Sequence, residues 1–254
     1  MSANENAVVQ TVTLTVAEGK RLIAKGLAKY APVCEKMDNG IVIVTRGSSN
    51  TYLAEELLQT NLIHGAFLTG RIQPAGSSPL SPQGDRIGEF VIRNGVHEPE
   101  TKFIEGLRAM QPGDIVFKGA NLVNYEDRKA AVCIGHPTGG TMGMFLPFVE
   151  EKGVRLIIPV GLEKQTSQDL EELETKSRAD HENGGKLPWM KVLPGEVFTE
   201  IEAIQQFADV EVYQLASGGI AGAEGGIMLA LKGDPAEVEK AVAAVGAVQG
   251  EPAF

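Results

Sequence analysis

Residues 114–164 hold the side chains best placed to do chemistry. Three short apolar runs, at 115–117, 130–134 and 154–160, each give way to small or polar residues. These are Lys118-Gly119-Ala120-Asn121, His136-Pro137-Thr138-Gly139-Gly140-Thr141 and Gly161-Leu162-Glu163-Lys164. An amine at the end of a buried strand can lose its proton and serve as a base or Schiff-base former, or keep it and hold an anion. Lys118 is therefore the leading candidate, the competing reading being a lysine whose stem lies along the strand end with its head in water. Asn121 can orient a hydroxyl or simply make a turn. His136 precedes a proline, which favours extended backbone and lets its ring reach outward, although a lone histidine also fills structural roles. Glu163 beside Lys164 reads as a general base tuned by its neighbour or as an exposed ion pair. It is the first acid to test. Glu224 is the second, because packing asks for no charge among the five glycines of residues 218–226. The alternative there is a flexible tight loop.

A fourth polar loop, Arg46-Gly47-Ser48-Ser49-Asn50-Thr51, sits between a β-branched run at 41–45 and a segment with helical spacing that begins at Tyr52. A Gly/Ser turn that opens a helix leaves N–H groups pointing outward beside hydroxyls, which suits phosphate or carboxylate. Capping by Ser49 or Asn50 alone is the plainer reading, but it does not call for Gly-Ser-Ser together.

These loops need a frame that brings them to one place. In an open parallel sheet, ligands bind in the crevice beyond the carboxyl ends of the strands, so the loops after residues 45, 117, 134 and 160 are expected around one cleft. Residues 15–36 carry apolar residues at helical spacing, with Thr15 and Glu18 as a capping box. Residues 66–73 and 89–93 read as strands, 101–110 as a helix with Phe103, Ile104, Leu107 and Met110 on one face, 191–194 as a strand and 199–207 as a helix. Residues 74–85 are too rich in Pro, Gly and Ser for regular structure and read as a lid or an exposed excursion. Residues 169–183 read as a solvated charged helix. In the tail, strands at 210–216 and 227–231 and a helix at 235–245 read as a small unit whose loop at 218–226 closes over or beside the cleft. The expected fold is α/β: an open, mostly parallel sheet with helices on both faces over residues 11–208, plus a small C-terminal α+β subdomain over residues 209–254.

Composition narrows the classes of function. With 254 residues, 43% hydrophobic and 22% charged, the chain has the balance of a soluble globular protein. The formal charge of -10, with 23 basic against 33 acidic residues and no basic cluster, argues against nucleic acid as a partner. No apolar run approaches the roughly 20 residues of a membrane span. Residues 1–10 lack the pattern of a signal peptide, so a cytoplasmic location is expected. Cys34 and Cys133 are too few for a disulfide framework, and Cys133 is expected to pack as a small hydrophobe. His64, His97, His136 and His181 show no metal-ligand spacing, so neither a metal nor a cofactor is expected.

The order of a buried strand with a Gly/Ser loop before a helix, a later strand ending in Gly119-Ala120, and a Gly-rich turn opening the next helix resembles the superfamily of ribose-5-phosphate isomerase, glucosamine-6-phosphate deaminase and the CoA transferases. The resemblance spans residues 16–164. It implies that Gly47, Ser48, Ser49 and Thr51 hold a phosphate. Isomerases of this group carry an Asp-Gly-Ala-Asp element near the catalytic centre, where this sequence has Lys118-Gly119-Ala120-Asn121. Both carboxylates that an aldose-ketose proton transfer would use are absent.

Two functions are expected from this reading. The first is an enzyme acting on a small phosphorylated or carboxylated metabolite, its anion on Gly47, Ser48, Ser49, Asn50 and Thr51. The reactive end would lie among Lys118, Gly119, Asn121, His136, Gly139, Gly140, Thr141, Glu163 and Lys164, with Glu224 at the tail loop. The second is a non-catalytic binding or sensing protein that keeps the cleft. A purely structural role is the weakest reading. The expected partner is a small anionic molecule, and the expected assembly a homo-oligomer.

Overall fold

The computed structural model describes residues 6–70, 72, 75, 87–136, 139–185 and 187–254. The chain runs β1 (Val8–Leu14), α1 (Val16–Leu27), α2 (Ala31–Asp38), β2 (Ile41–Val44), α3 (Ser48–Leu58), β3 (Phe90–Arg93), β4 (Val96–His97) and α4 (Phe103–Ala109). It continues through β5 (Ile115–Phe117), β6 (Leu122–Asn124), β7 (Lys129–Ile134), α5 (Gly140–Lys152), β8 (Arg155–Pro159), a 3-10 turn (Leu162–Lys164) and α6 (Leu170–Glu182). The remaining elements are β9 (Trp189–Val192), β10 (Glu196–Phe198), α7 (Glu200–Gln205), β11 (Glu211–Gly218), β12 (Gly226–Gly233) and α8 (Pro235–Gly246).

The organising layer is a six-stranded sheet of order β10-β8-β5-β2-β3-β4. The first four strands are parallel, with Val44 beside Phe117 and Phe117 beside Ile157, while β3 and β4 add on antiparallel. Its central strands are short β-branched or aliphatic runs buried along their whole length, as strands covered on both faces must be. Alternation sends Val42, Val44, Ile115, Phe117 and Ile157 into one core with α1, α3 and α7. It sends Ile41, Ile43, Val116, Leu156 and Ile158 into a second, with Leu107 of α4 and Met142 and Phe145 of α5. Helices therefore cover both faces. Each such side chain contributes about 1.5–3 kcal/mol relative to exposure, so the strand ends are rigidly placed.

Several expectations change. Residues 66–70 form turn and irregular chain rather than a strand, and most of the expected excursion at 74–85 lies outside the described residues. The helix expected at 15–36 is two, because Pro32, near the start of α2, supplies no N–H to continue α1. The Thr15/Glu18 capping box is present, with Thr15 N–H donating to Glu18 Oε2 at 2.7 Å. Most consequential, β7 is not in the main sheet. It pairs antiparallel with β6 and β9 in a separate three-stranded sheet, so the His136 loop does not follow a strand of the parallel array.

The third sheet, β1-β12-β11, is antiparallel and joins the two ends of the chain, with α8 against β1 and β12. Leu14, Val212, Leu229, Leu231 and Val238 belong to the same core as α1 and α7. The sheet is thus built from the tail and from β1, and its core is continuous with that of the main sheet. No helix among the described residues is long and apolar enough to cross a membrane.

Candidate functional site

Because β2, β5, β8 and β10 are parallel, the residues that leave them emerge along one edge. These are the Gly47 loop, Lys118, the Gly161 turn and Glu200. A cleft of about 380 Å³ lies there, lined by Gly47, Ser48, Ser49, Lys118, Asn121 and Lys164 together with Lys20 and Arg46. A second cleft of about 450 Å³ adjoins it, lined by Cys133, His136, Gly139, Gly140 and Thr141. Lys118 and Asn121 border both.

The start of α3 is an open set of donors. Gly47 N–H is taken by Phe67 O at 3.1 Å, but the N–H groups of Ser48, Ser49 and Asn50 meet no acceptor among the described residues. Helices leave such groups free at their first turn, where the helix dipole also favours negative charge. Ser49 Oγ and Asn50 Oδ1 are buried without a partner. Asn50 and Thr51 turn inward instead of lining the cleft. Asn50 Nδ2 donates to Thr45 O at 2.7 Å and to Phe117 O at 3.2 Å, which ties the end of β2 to the end of β5. Thr51 Oγ1 donates to Gly47 O at 3.0 Å. These two residues hold the loop, and Gly47, Ser48 and Ser49 face the cleft.

Four cations surround this turn in a chain whose net charge is -10. Arg46 is held by Glu89 at 3.0 Å. Lys164 Nζ donates to Ala120 O at 3.0 Å and stands 3.9 Å from Glu163. Neither Lys118 nor Lys20 has a side-chain hydrogen bond or a carboxylate at ion-pair distance among the described residues. Burial pushes the Lys118 ammonium down to about 8, with Glu89 opposing the shift and Arg46 and Lys164 adding to it. Burial also lowers Lys20, reinforced by Lys164 and opposed by Glu163 and Glu200.

Two carboxylates meet behind these lysines. Glu200 is 2% exposed, and its Oε2 accepts the Leu162 N–H at 2.9 Å. Two glycines make room for it: a Cβ on Gly19 would stand 2.6 Å from Glu200 Oε1, and one on Gly161 would stand 2.8 Å from the same atom and overlap Glu163 Oε2. Burial, then the neighbouring Glu163 charge, raises the Glu200 carboxyl well above the usual carboxylate range. Such an acid keeps its proton at neutral pH and can pass it on.

Sequence reasoning missed Glu200, Lys20 and Arg46. Glu200 was hidden because the three-residue β10 was not recognised, and without it nothing placed residue 200 at the strand ends. A glycine at position 19, inside a strong helix, was the available signal, since interior glycine costs about 1 kcal/mol and asks for a close neighbour.

Around the second cleft, Asn121 Oδ1 accepts the Cys133 N–H at 2.8 Å. Cys133 is exposed and borders the cleft, contrary to the expected apolar packing, because it occupies the outward position of β7. Burial of its sulfur still raises the thiol above its ordinary value. His136 is exposed, Gly139 caps α5 in the left-handed region at φ 79°, and Pro137 and Thr138 lie outside the described residues. Glu224 stands apart. It is exposed on the turn between β11 and β12, accepts the Gly222 N–H at 2.9 Å, and borders neither cleft. Among the described residues no cluster of three or more His, Cys, Asp or Glu could hold a metal. No family model, curated protein or solved structure matches this chain.

Proposed function

We propose that the protein is an enzyme acting on a small phosphorylated or carboxylated metabolite. The anion sits on the Ser48 and Ser49 N–H groups within reach of Lys20, Arg46 and Lys164. The reactive end lies at Lys118 and Asn121, towards His136 and the Gly139-Gly140-Thr141 turn, with Glu163 as the acid behind. One observation carries this reading: unpartnered helix N–H groups and four cations converge at the carboxyl edge of a parallel sheet in a strongly acidic protein. Pre-set donors and dipoles of this kind stabilise negative charge at little reorganisation cost.

Titration calorimetry with inorganic phosphate tests it. Saturable binding that weakens in Lys118→Ala, with the melting temperature kept, is the expected result. Absence of binding, or an equal loss of binding and folding, removes the reading.

A second reading is a binding or sensing protein of the same fold. It is favoured by the absence of any described carboxylate from the lining of either cleft. Deuterium exchange into a bound carbonyl compound separates the two: binding without exchange favours the sensor. Homo-oligomeric assembly belongs to the same proposal. It is supported by Val9, Tyr213 and Met228, exposed along the outward face of the β1-β12-β11 sheet.

A further inference from the structure

We propose that Lys118 is a carbonyl-trapping amine, which adds through Nζ to the aldehyde or ketone carbon of a small molecule bearing a phosphate or carboxylate, and holds it as a protonated imine. The inference deepens the proposed function and rests on it for the seat of the anion.

Position comes first. Lys118 leaves the carboxyl end of β5, whose neighbours on either side are β2 and β8, and it borders both clefts. An anion at the start of α3 therefore shares one cleft with the Lys118 amine, and the second cleft adjoins at the same lysine.

The division of labour among the cations comes next. Arg46 is committed to Glu89 and Lys164 to Ala120 O, so both are fixed as charges. Lys118 has no such commitment among the described residues: no acceptor or carboxylate holds its ammonium. An ammonium is a strongly hydrated point charge that needs acceptors, and a lysine deprived of them and set beside other cations gives up its proton. This is the known way to activate a lysine as a nucleophile: desolvation next to another cationic group. Burial lowers the Lys118 amine to about 8, so a useful fraction is neutral at physiological pH.

The step balances without any oxidant or reductant. The amine lone pair forms the C–N bond while the carbonyl π pair moves to oxygen, which takes a proton. Nitrogen then loses a proton, and the hydroxyl leaves with another as water, giving C=N–H⁺. Amine, carbonyl and one proton become a protonated imine and water. Asn121, which borders both clefts beside Lys118, is placed to orient the oxygen that leaves.

The test uses the full chain, glycolaldehyde phosphate as probe, and sodium borohydride to reduce any imine to a stable secondary amine, followed by peptide mass mapping. Glycolaldehyde without the phosphate is the control at equal concentration. The expected result is a reduced adduct at Lys118, with occupancy from the phosphorylated probe exceeding the control by about tenfold or more, a factor worth about 1.4 kcal/mol of binding. Lys118→Arg keeps the charge but cannot form the imine. It should lose the adduct, and saturable binding of inorganic phosphate by the same variant shows that the fold and the anion seat survive the substitution. Phosphate binding with adducts spread over many lysines, or with none at Lys118, overturns the inference alone. An adduct at Lys118 formed equally by both aldehydes, with no phosphate binding, removes the proposed function and the anionic substrate class with it.

Discussion

Glu163 and Glu200 bring their carboxylate oxygens to the same glycine: a Cβ on Gly161 would overlap Glu163 Oε2 and stand 2.8 Å from Glu200 Oε1. One acid comes from the turn after β8 and the other from the start of α7 after β10, so the parallel pairing of these strands creates the contact. Two carboxylates this close in a buried place cannot both ionise cheaply, and the more buried Glu200 keeps the proton.

The pH dependence of stability follows from that. The folded state holds the Glu200 proton above 4.5, its ordinary value, whereas the unfolded chain has lost it. Between that pH and the raised folded value the native state binds more protons, so the contribution of this group is full at low pH and declines as pH rises. Glu200→Gln removes the titration. In thermal melts at pH 5.5 and pH 8.5, the wild type should lose more of its melting temperature on going to the higher pH than the variant does. Parallel shifts in the two proteins would show that Glu200 is already ionised when folded.

A side chain on Gly161 should displace the Glu163 and Glu200 carboxylates at a cost in stability. The glycine's φ of -80° is open to any residue, so the cost of Gly161→Ala comes from crowding of Glu163 and Glu200 alone. Overpacking of this kind costs about 1–3 kcal/mol. Chemical denaturation reads the loss, and pairing Gly161→Ala with Glu163→Ala should restore part of it.

Asn50 and Ser48 should separate folding from binding. Asn50→Ala leaves Thr45 O without its buried donor, a loss of about 1–3 kcal/mol, while Phe117 O keeps the Thr45 hydroxyl and N–H. Ser48→Pro instead removes one of the free N–H groups at the first helical position, where proline is compatible with the helix. It should weaken phosphate binding in calorimetry while leaving the denaturation midpoint close to that of the wild type.

Phosphate affinity and imine trapping should have opposite pH profiles. Lys118 carries its charge below about 8 and loses it above. Affinity for inorganic phosphate should therefore fall as pH rises through that value, while the rate of borohydride-trapped adduct formation rises through it. A trapping rate that climbs only near 10.5, the ordinary value for lysine, would show an unperturbed amine.

Much of the frame was legible in the sequence because its signals are local. The runs at 41–45, 115–117 and 154–160 are strands because β-branched and aliphatic residues leave no polar face, and the loops after them do meet at one edge. That rule placed Lys118, Asn121 and Lys164 beside one cleft, where they do lie. What failed depended on partners distant in the chain. The run at 130–134 looks like any buried strand, and nothing within it says that it pairs with β6 and β9 rather than β5 or β8. β1 was passed over because only Val12 and Leu14 of its seven residues are buried, so its apolar content reads as surface until β12 is beside it. Thr51 looked like a phosphate ligand and instead donates to Gly47 O, a local hydrogen bond that composition does not distinguish from a free hydroxyl.

The pairing of β1 with β12 also bears on how the chain acquires its structure. Val8 lies beside Gly233 and Leu14 beside Ile227, so this ladder joins residues more than two hundred positions apart. Closing so long a loop carries an entropic cost that nearby contacts do not, and folding slows as mean sequence separation grows. On a ribosome, β1 emerges about two hundred residues ahead of β12 and must wait unpaired for it, its backbone donors and acceptors free to meet another strand. Of its five exposed positions, Gln10, Thr11 and Thr13 are polar, whereas Val8 and Val9 are apolar. Those three hydrophilic positions make the waiting segment a weaker template for association than an all-aliphatic strand would be.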